Sequence, residues 1–300
     1  MKAIQFEAYG GPDVLRLVEV EAPCPGPGQV RIAVRAAGVN GIDWKIRAGH
    51  LRERRPLDLP AGTGIDAAGI VDEIGEGVEG VALGDAVFGS GSATYAEQAV
   101  LAHWARKPEG LPFTEAAGFP VAVETAFRII DQVGVRAGQT LLISGAAGGV
   151  GSAAVQIAKA RGISVIGTAG AGNQDYLRGL GAVATTYGPG LVERVRALAD
   201  AGVDAALDIA GSGVIADLVE LTGDPARVLS IADFSAAAQG ARVSFAAVDP
   251  ERAFTEAARL FEAGALRLPV MRAYPLADAA GAQAASAAGH ATGRIVITIR

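Results

Sequence analysis

The segment Gly145-Ala146-Ala147-Gly148-Gly149-Val150-Gly151 holds the residues whose types and spacing point most directly to chemistry. Ala146, Gly148 and Gly151 fall at the spacing of a G-x-G-x-x-G turn, with alanine in the first place. The apolar run at 140–144 ahead of it reads as a buried strand, and 150–161 after it as a helix. A strand that ends in such a turn offers an anion the free N–H groups and the positive dipole end of the following helix. Gly148 would let backbone approach a pyrophosphate, and Gly151 would let the helix pack close to the sheet. Gly149 and Val150 complete the first helical turn. The chemistry implied is dinucleotide binding.

A second strand, 164–168, runs into Thr168-Ala169-Gly170. A site for NADH usually places an Asp or Glu about 20 residues past the glycine turn, on the ribose 2′-hydroxyl. None stands there. Small and hydroxyl-bearing residues leave room for a 2′-phosphate, and a missing carboxylate removes a repulsion against it, so NADPH is expected over NADH. Gly172-Asn173-Gln174 add no basic residue, and Arg178 nearby reads equally as solvent-facing. Thr168, Ala169, Gly170 and Asn173 are the expected lining at this end.

Elements that must position these residues follow in two regimes. Up to about residue 110, short apolar runs (2–6, 14–20, and an alternating strand from Val30 to Ala36) are separated by dense glycine punctuation, which predicts a small, irregular β-barrel-like domain. From Thr114 a helix with a proline interruption runs toward Asp131. Strands (140–144, 164–168, 204–209) then alternate with helices (150–161, 175–180, 191–199, 215–221), the order of a parallel sheet covered on both faces. A helix at 252–263 and an Ala-rich helix at 277–288 follow. The closing run Ile295-Val296-Ile297-Thr298-Ile299 has no parallel partner in prospect and is expected to return to the N-terminal domain.

Composition narrows the class. At 300 residues the expectation is about two domains. A net charge of −6 argues against a nucleic-acid partner, which needs a basic surface; the Arg52, Arg54, Arg55 spot is interrupted by Glu53 and reads as a solvated loop. No run of about 18 apolar residues suggests a membrane span. The opening Met1-Lys2-Ala3-Ile4-Gln5 has no leader-like apolar stretch, so a cytoplasmic location is expected. Cys24, between two prolines, is the sole cysteine, which leaves no internal disulfide.

Several further motifs stand in order along the chain: Ala37-Gly38-Val39-Asn40 with Asp43, Gly64-Ile65-Asp66-Ala67-Ala68-Gly69, Gly84-Asp85-Ala86-Val87, Tyr95-Ala96-Glu97, Leu180-Gly181-Ala182, and Gly289-His290 with Gly293-Arg294-Ile295-Val296. With the glycine turn, they make the chain resemble the medium-chain dehydrogenase/reductase superfamily, in its zinc-free quinone oxidoreductase (zeta-crystallin-like) branch. The resemblance implies an α/β protein. Its GroES-like β-rich catalytic domain would span 1–115 and 255–300, and its Rossmann, doubly wound parallel-sheet domain 116–254, with the active site in the cleft between them. It also implies a homodimer, which the sequence itself does not show. A catalytic zinc needs three ligands such as Cys and His. Cys24 is alone, and Ile65 stands where zinc-dependent relatives carry a histidine, so no metal is expected.

The resemblance assigns roles residue by residue. Asn40 would lie near nicotinamide and substrate. Asp43 would orient Asn40 or cap a helix beginning at Trp44. Trp44 would wall the acceptor pocket or pack in the core. Thr125 would approach the cofactor, and Tyr187 would meet the adenosine phosphate. Gly211, Ile231 and Ala232 would sit at strand ends near the nicotinamide carboxamide. Arg294 would reach the 2′-phosphate or cover the surface, and His290 would be structural. No proton donor is identified. The expected activity is NADPH-dependent, zinc-independent hydride transfer to a quinone or α,β-unsaturated carbonyl. Two alternatives stay open: a tailoring enoyl or keto reductase of secondary metabolism, and a non-catalytic NADPH-binding protein.

Overall fold

The computed structural model describes residues 1–289 and 292–299. His290 lies outside the described residues. In chain order the elements are β1 (Lys2–Phe6), β2 (Arg16–Glu19), β3 (Val30–Val39), α1 (Gly41–Arg47), β4 (Ala61–Gly62), β5 (Asp66–Ile74), β6 (Ala86–Gly91), β7 (Gln98–Arg106), α2 (Phe113–Ala116) and α3 (Pro120–Val133). There follow β8 (Thr140–Ser144), α4 (Gly149–Ala160), β9 (Ser164–Thr168), α5 (Gln174–Gly179), β10 (Val183–Thr185), α6 (Leu191–Arg196), β11 (Ala205–Asp208), α7 (Ile215–Thr222), β12 (Val228–Ser230) and β13 (Arg242–Val243). The chain closes with α8 (Pro250–Glu262), β14 (Val270–Pro275), α9 (Ala279–Ala287) and β15 (Arg294–Thr298).

One compact unit comprises Met1–Val121, Pro250–Ala263 and the chain from Leu268 onward. Its larger sheet runs β14-β15-β3-β5-β6-β7, with β3 also pairing β7. The long strand β3 makes this closure. Two register shifts against β5 bend it, so that Val30–Ala33 pair with β7 while Ala36–Val39 pair with β15. Val30, Ile32 and Val34 point into a core with Phe6, Tyr95, Leu101, Ile295 and Ile297. Against another part of this sheet, the rings of Phe119 and Phe254 pack on Phe88 at centroid distances of 6.0 and 5.9 Å.

The terminal strand does return to β3, but it also has a parallel partner, β14, which corrects the sequence expectation. β14 is an edge strand exposed along most of its length, so Val270-Met271-Arg272-Ala273-Tyr274-Pro275 carries no apolar alternation to betray it. Three other boundaries also moved. The second strand begins at Arg16, after a 3-10 turn at Pro12–Val14. The helix toward Asp131 is two helices, and Pro120 opens the second of them, where proline's missing N–H costs nothing. Residues 250–254, expected in the Rossmann-like unit, belong with the rest of α8 to the first one, where Phe254 sets its ring against Phe88.

The other unit comprises Ala122–Asp249 and Gly264–Arg267. Gln156 of α4 holds the detached tetrapeptide, donating to the Arg267 carbonyl and accepting from the Arg267 N–H, each at 2.9 Å. Its sheet is parallel throughout, ordered β10-β9-β8-β11-β12-β13. Leu142, Ile166, Ala206 and Val228 from four adjacent strands share a core with Val195 and Leu218 from flanking helices. The strand order reverses between β8 and β11, and ligands of such sheets bind beyond the carboxyl ends of the strands at that switch.

Removing one aromatic ring from the first unit should show how much its packing contributes. Phe88→Ala is expected to lower unfolding free energy by about 3–5 kcal/mol, measured by urea denaturation.

Candidate functional sites of the two units

In the Rossmann-like unit, β8 ends at Ser144 and the chain turns at Gly145, whose φ of 83° is the left-handed conformation glycine allows. Gly148 is the N-cap of α4, which begins at Gly149, one residue ahead of the predicted start. The N–H groups of Gly149, Val150 and Gly151 therefore have no carbonyl one turn back. The two later glycines answer to different demands. A Cβ on Gly151 would stand 2.2 Å from the Gly145 carbonyl oxygen, so helix–strand approach requires glycine there. A Cβ on Gly148 would meet nothing nearer than 3.6 Å. A methyl group would therefore fit at Gly148 without displacing the protein, so glycine there answers to no internal packing demand.

The ends of β9 and β10 are aligned, Thr168 opposite Thr185, and this brings the predicted adenosine-side residues together. Thr168 is buried, and its Oγ1 accepts from the Gly145 N–H at 3.4 Å. Gln174 pins the turn by donating to the carbonyls of Ala169, Gly170 and Thr185. The exposed Tyr187 lies beside Gly170, its hydroxyl 3.6 Å from where a Cβ would be. Arg194 straps the Tyr187 loop, donating to the carbonyls of Thr186, Tyr187, Gly188 and Pro189. Asn173 closes the 3-10 turn at Ala171–Asn173. Arg178 is ion-paired with Asp175 at 2.6 Å on an exposed surface.

On the other side of the switch, Asp208 and Ser230 end β11 and β12 opposite each other. Asp208 is buried; it accepts from Ser230 Oγ at 2.8 Å and from the Gly211 N–H at 3.0 Å. Ser230 Oγ in turn accepts from the Ala232 N–H. This network places Gly211 and Ala232 side by side, with Ile231 between strand and turn. Thr125 is buried on α3, where Arg128 reaches its Oγ1 at 3.4 Å. Arg128 also pairs with Glu124 at 3.0 Å and donates to Ser244. Sequence reasoning missed Asp208 and Ser230 as organisers. A carboxylate ending the apolar run Ala205-Ala206-Leu207 was the available signal.

The first unit holds the predicted substrate residues, and there the structure departs from expectation. Asn40, not Asp43, is the N-cap of α1; Asp43 stands at N3 and reaches back to accept from the Asn40 N–H at 2.8 Å. Asp43 therefore orients the backbone at Asn40. Trp44 is half-buried; its indole ring stacks edgewise on His50, and Nε1 is buried without an acceptor among the described residues. Arg294 does not cover the surface. It is buried, its Nη2 is committed to Asn40 Oδ1 at 2.7 Å, and it lies 3.6 Å from Asp66 Oδ2. The cause is the return of β15, which sets Ile295 opposite Val39 and so delivers Arg294 to the end of β3.

Asp66 and Tyr95 were quoted within motifs but given no role. Asp66 is fully buried and accepts from Asn40 Nδ2 at 2.9 Å and from the Val121 N–H at 3.1 Å. Tyr95 donates to Asp43 Oδ2 at 2.9 Å. Burial pushes Asp43 up to about 6 and Asp66 up to about 7, against the opposing pull of Arg294 and their hydrogen bonds. Burial also pushes the Tyr95 hydroxyl up and lowers Arg294. No group of three His, Cys, Asp or Glu that could hold a metal occurs among the described residues. Cys24 is exposed. No helix among them is long and apolar enough to cross a membrane.

Known proteins share this architecture. Residues 26–128 match the family model for the alcohol dehydrogenase GroES-like domain, and residues 180–297 that for zinc-binding dehydrogenase. A quinone oxidoreductase from Coxiella burnetii superposes with a TM-score of 0.88 at 30% identity, covering 100% of this chain and 99% of that one. A mycobacterial protein solved in complex with NADPH superposes with a TM-score of 0.83 at 28% identity, covering 100% of both chains. Human quinone oxidoreductase is 42% identical over 176 residues, 57% of this chain and 53% of that protein, so the chain spans about half of that relative. A pikromycin polyketide synthase component of Streptomyces venezuelae is 36% identical over 310 residues, 94% of this chain but 8% of that protein. The chain belongs to the medium-chain dehydrogenase/reductase superfamily, as a quinone oxidoreductase-like protein with a GroES-like domain and a parallel-sheet Rossmann-like domain.

Two outcomes follow from this geometry. Gly151→Ala is expected to destabilise the fold by about 1–3 kcal/mol, because backbone must shift to admit the methyl group, and thermal unfolding reads it. For Asp66 the sign is set by its raised value. The folded protein binds this proton more tightly than the unfolded chain between about pH 4 and 7. The stabilisation is therefore full at low pH and drains away as pH rises through about 7. Asp66→Asn lacks that loss, so its stability relative to wild type should improve from pH 5 to pH 8 in urea titrations. A difference that stays flat from pH 5 to pH 8 would mean that Arg294 holds Asp66 ionised throughout.

Proposed function

We propose that the protein is an NADPH-dependent, zinc-independent oxidoreductase that reduces a quinone or an α,β-unsaturated carbonyl. The observation that carries this reading is the open space at Gly148 before the helix α4, at the point where the parallel sheet reverses its strand order. The N–H groups of Gly149, Val150 and Gly151 would hold the pyrophosphate. Thr168, Ala169, Gly170, Asn173 and Tyr187 would line the adenosine end, where no carboxylate opposes a 2′-phosphate. Thr125, Gly211, Ile231 and Ala232 would flank the nicotinamide. Arg294 is left out of this set because Asn40 already engages it. When bound, the dihydronicotinamide would supply a hydride. Asn40, Asp43 and Trp44 of the first unit would take the acceptor, with the buried Trp44 Nε1 as an uncommitted donor.

Ile65, where zinc-dependent relatives carry a histidine, and a lone cysteine, Cys24, support a reaction without zinc. The net charge of −6 supports small-molecule partners over nucleic acid, in a cytoplasmic enzyme that we expect to be a homodimer. A second reading, a tailoring enoyl or keto reductase, is favoured by the match of nearly the whole chain to a segment of a polyketide synthase component.

Initial rates of NADPH and NADH oxidation at ~340 nm, over a panel of quinones and enones, test the reading. Turnover is expected with NADPH and much less with NADH. Equal use of both would sink the assignment at 168–170, and tight NADPH binding without turnover would make this a binding protein. Gly148→Ala should keep its melting temperature yet weaken NADPH binding about tenfold or more, about 1.4 kcal/mol, because the methyl group occupies ligand space and nothing of the protein.

A further inference from the structure

The side-chain amide of Asn40 is clamped at both ends. Its Nδ2 donates to Asp66 Oδ2 at 2.9 Å, and its Oδ1 accepts from Arg294 Nη2 at 2.7 Å. The two ends of an amide differ little in size, so shape does not decide which way it faces; its partners do. Reversed, Oδ1 would face a carboxylate and the NH2 group a guanidinium. All three side chains are buried, where such mispairing is costly. The partners come from three elements. Asn40 follows β3, Asp66 opens β5 and Arg294 opens β15, and register brings them together, Gly38 opposite Asp66 and Val39 opposite Ile295.

We propose that Asp66 and Arg294 are positioning residues, which lock Asn40 so that the second N–H of its Nδ2 is presented to the carbonyl oxygen of the acceptor. This rests on the preceding reading that Asn40 touches the acceptor. Hydride addition to the β-carbon of an enone moves the π pair onto the carbonyl oxygen. A proton from water then completes the two-electron reduction, leaving the nicotinamide oxidised. The presented N–H faces the oxygen where charge develops, and the guanidinium on Oδ1 draws electron density from the amide and strengthens that donor.

The clamp needs Asp66 ionised. The groups facing Asp66 are Asn40 and Asp43 from around α1, Tyr95 from the segment before β7, the Val121 N–H from α3 and Arg294 from β15, while Thr94 Oγ1 donates to its backbone carbonyl. With Asp66 pushed up to about 7, protonation below that value adds a donor facing Asn40 and removes one of the two mispairings that hold the amide in place. Efficiency toward the acceptor should fall as pH drops through about 7.

The chain contains two asparagines, Asn40 and Asn173, so asparagine-selective isotope labelling gives two side-chain amide signals, assigned with Asn40→Ala. In the ligand-free protein the Asn40 pair should shift with a midpoint near pH 7, and Asp66→Asn should abolish that titration. With 1,4-naphthoquinone and saturating NADPH, Asp66→Asn should lower kcat/KM for the quinone by about 10–100-fold and flatten the acid limb. NADPH Kd should change less than about twofold, and Arg294→Lys should fall between variant and wild type. In an Asn40→Ala background, Asp66→Asn should cost less than about twofold more. Additive losses, or an Asn40 signal indifferent to Asp66, would overturn the proposal. Wild-type efficiency in Asn40→Ala would overturn contact with the acceptor, and the amide titration alone then upholds or overturns the clamp. No turnover by the wild type with any acceptor would defeat the functional reading instead, again leaving the titration to decide. Should Asp66→Asn not fold, Asp66→Asn/Arg294→Met removes both members of that pair, leaves Asp43 its hydrogen bonds from Asn40 and Tyr95, and carries both readouts.

Discussion

Two buried carboxyls and one buried guanidinium share the interior of the GroES-like unit, and its architecture follows from keeping them together. Charges taken out of water are tolerated only when partnered; losing one member of such a pair costs on the order of 3–5 kcal/mol. Asp43, Asp66 and Arg294 come from α1, β5 and β15, and Asn40 and Tyr95 supply the neutral links between them. The bent strand β3 is what makes this meeting possible. Its first half pairs with β7, which leaves its second half free for β15, and the strand brings the cation with it. The strand β15 is thus part of the site, because the buried Asp66 has its cationic partner there.

The Rossmann-like unit answers to a steric constraint. Gly151 cannot carry a side chain without striking the Gly145 carbonyl, so the approach of α4 to β8 fixes one glycine, while open space accounts for Gly148. Strand ends at one level do the rest: Ser144, Thr168, Asp208 and Ser230 stand in register across the sheet. Beyond the ends of β9 and β10, neutral and cationic straps hold the loops. Gln174 gathers three carbonyls and Arg194 four, fixing the loops that carry Gly170 and Tyr187.

Local physics was legible from residue types alone. Period-two alternation announced the start of β3, the apolar run announced β8, and the glycine turn announced the start of α4 to within one residue. Those signals are written in neighbouring residues, because strands and helices repeat over two to four positions. The parallel, alternating order of the second unit followed from the same signals.

What the sequence hid was whatever depends on distant pairing. β14 escaped because an exposed edge strand needs no apolar face. Arg294 read as a surface or phosphate-seeking residue because arginines usually are exposed; only the β15–β3 register buries it beside Asn40. Asp66 lay in a quoted motif, yet its partners lie 26 residues before it and 55 after it. The sequence by itself therefore determined the elements, the glycine turn and the family resemblance. The tertiary structure decided which charges are buried together, because burial and pairing belong to the closed sheet and to no single stretch of chain.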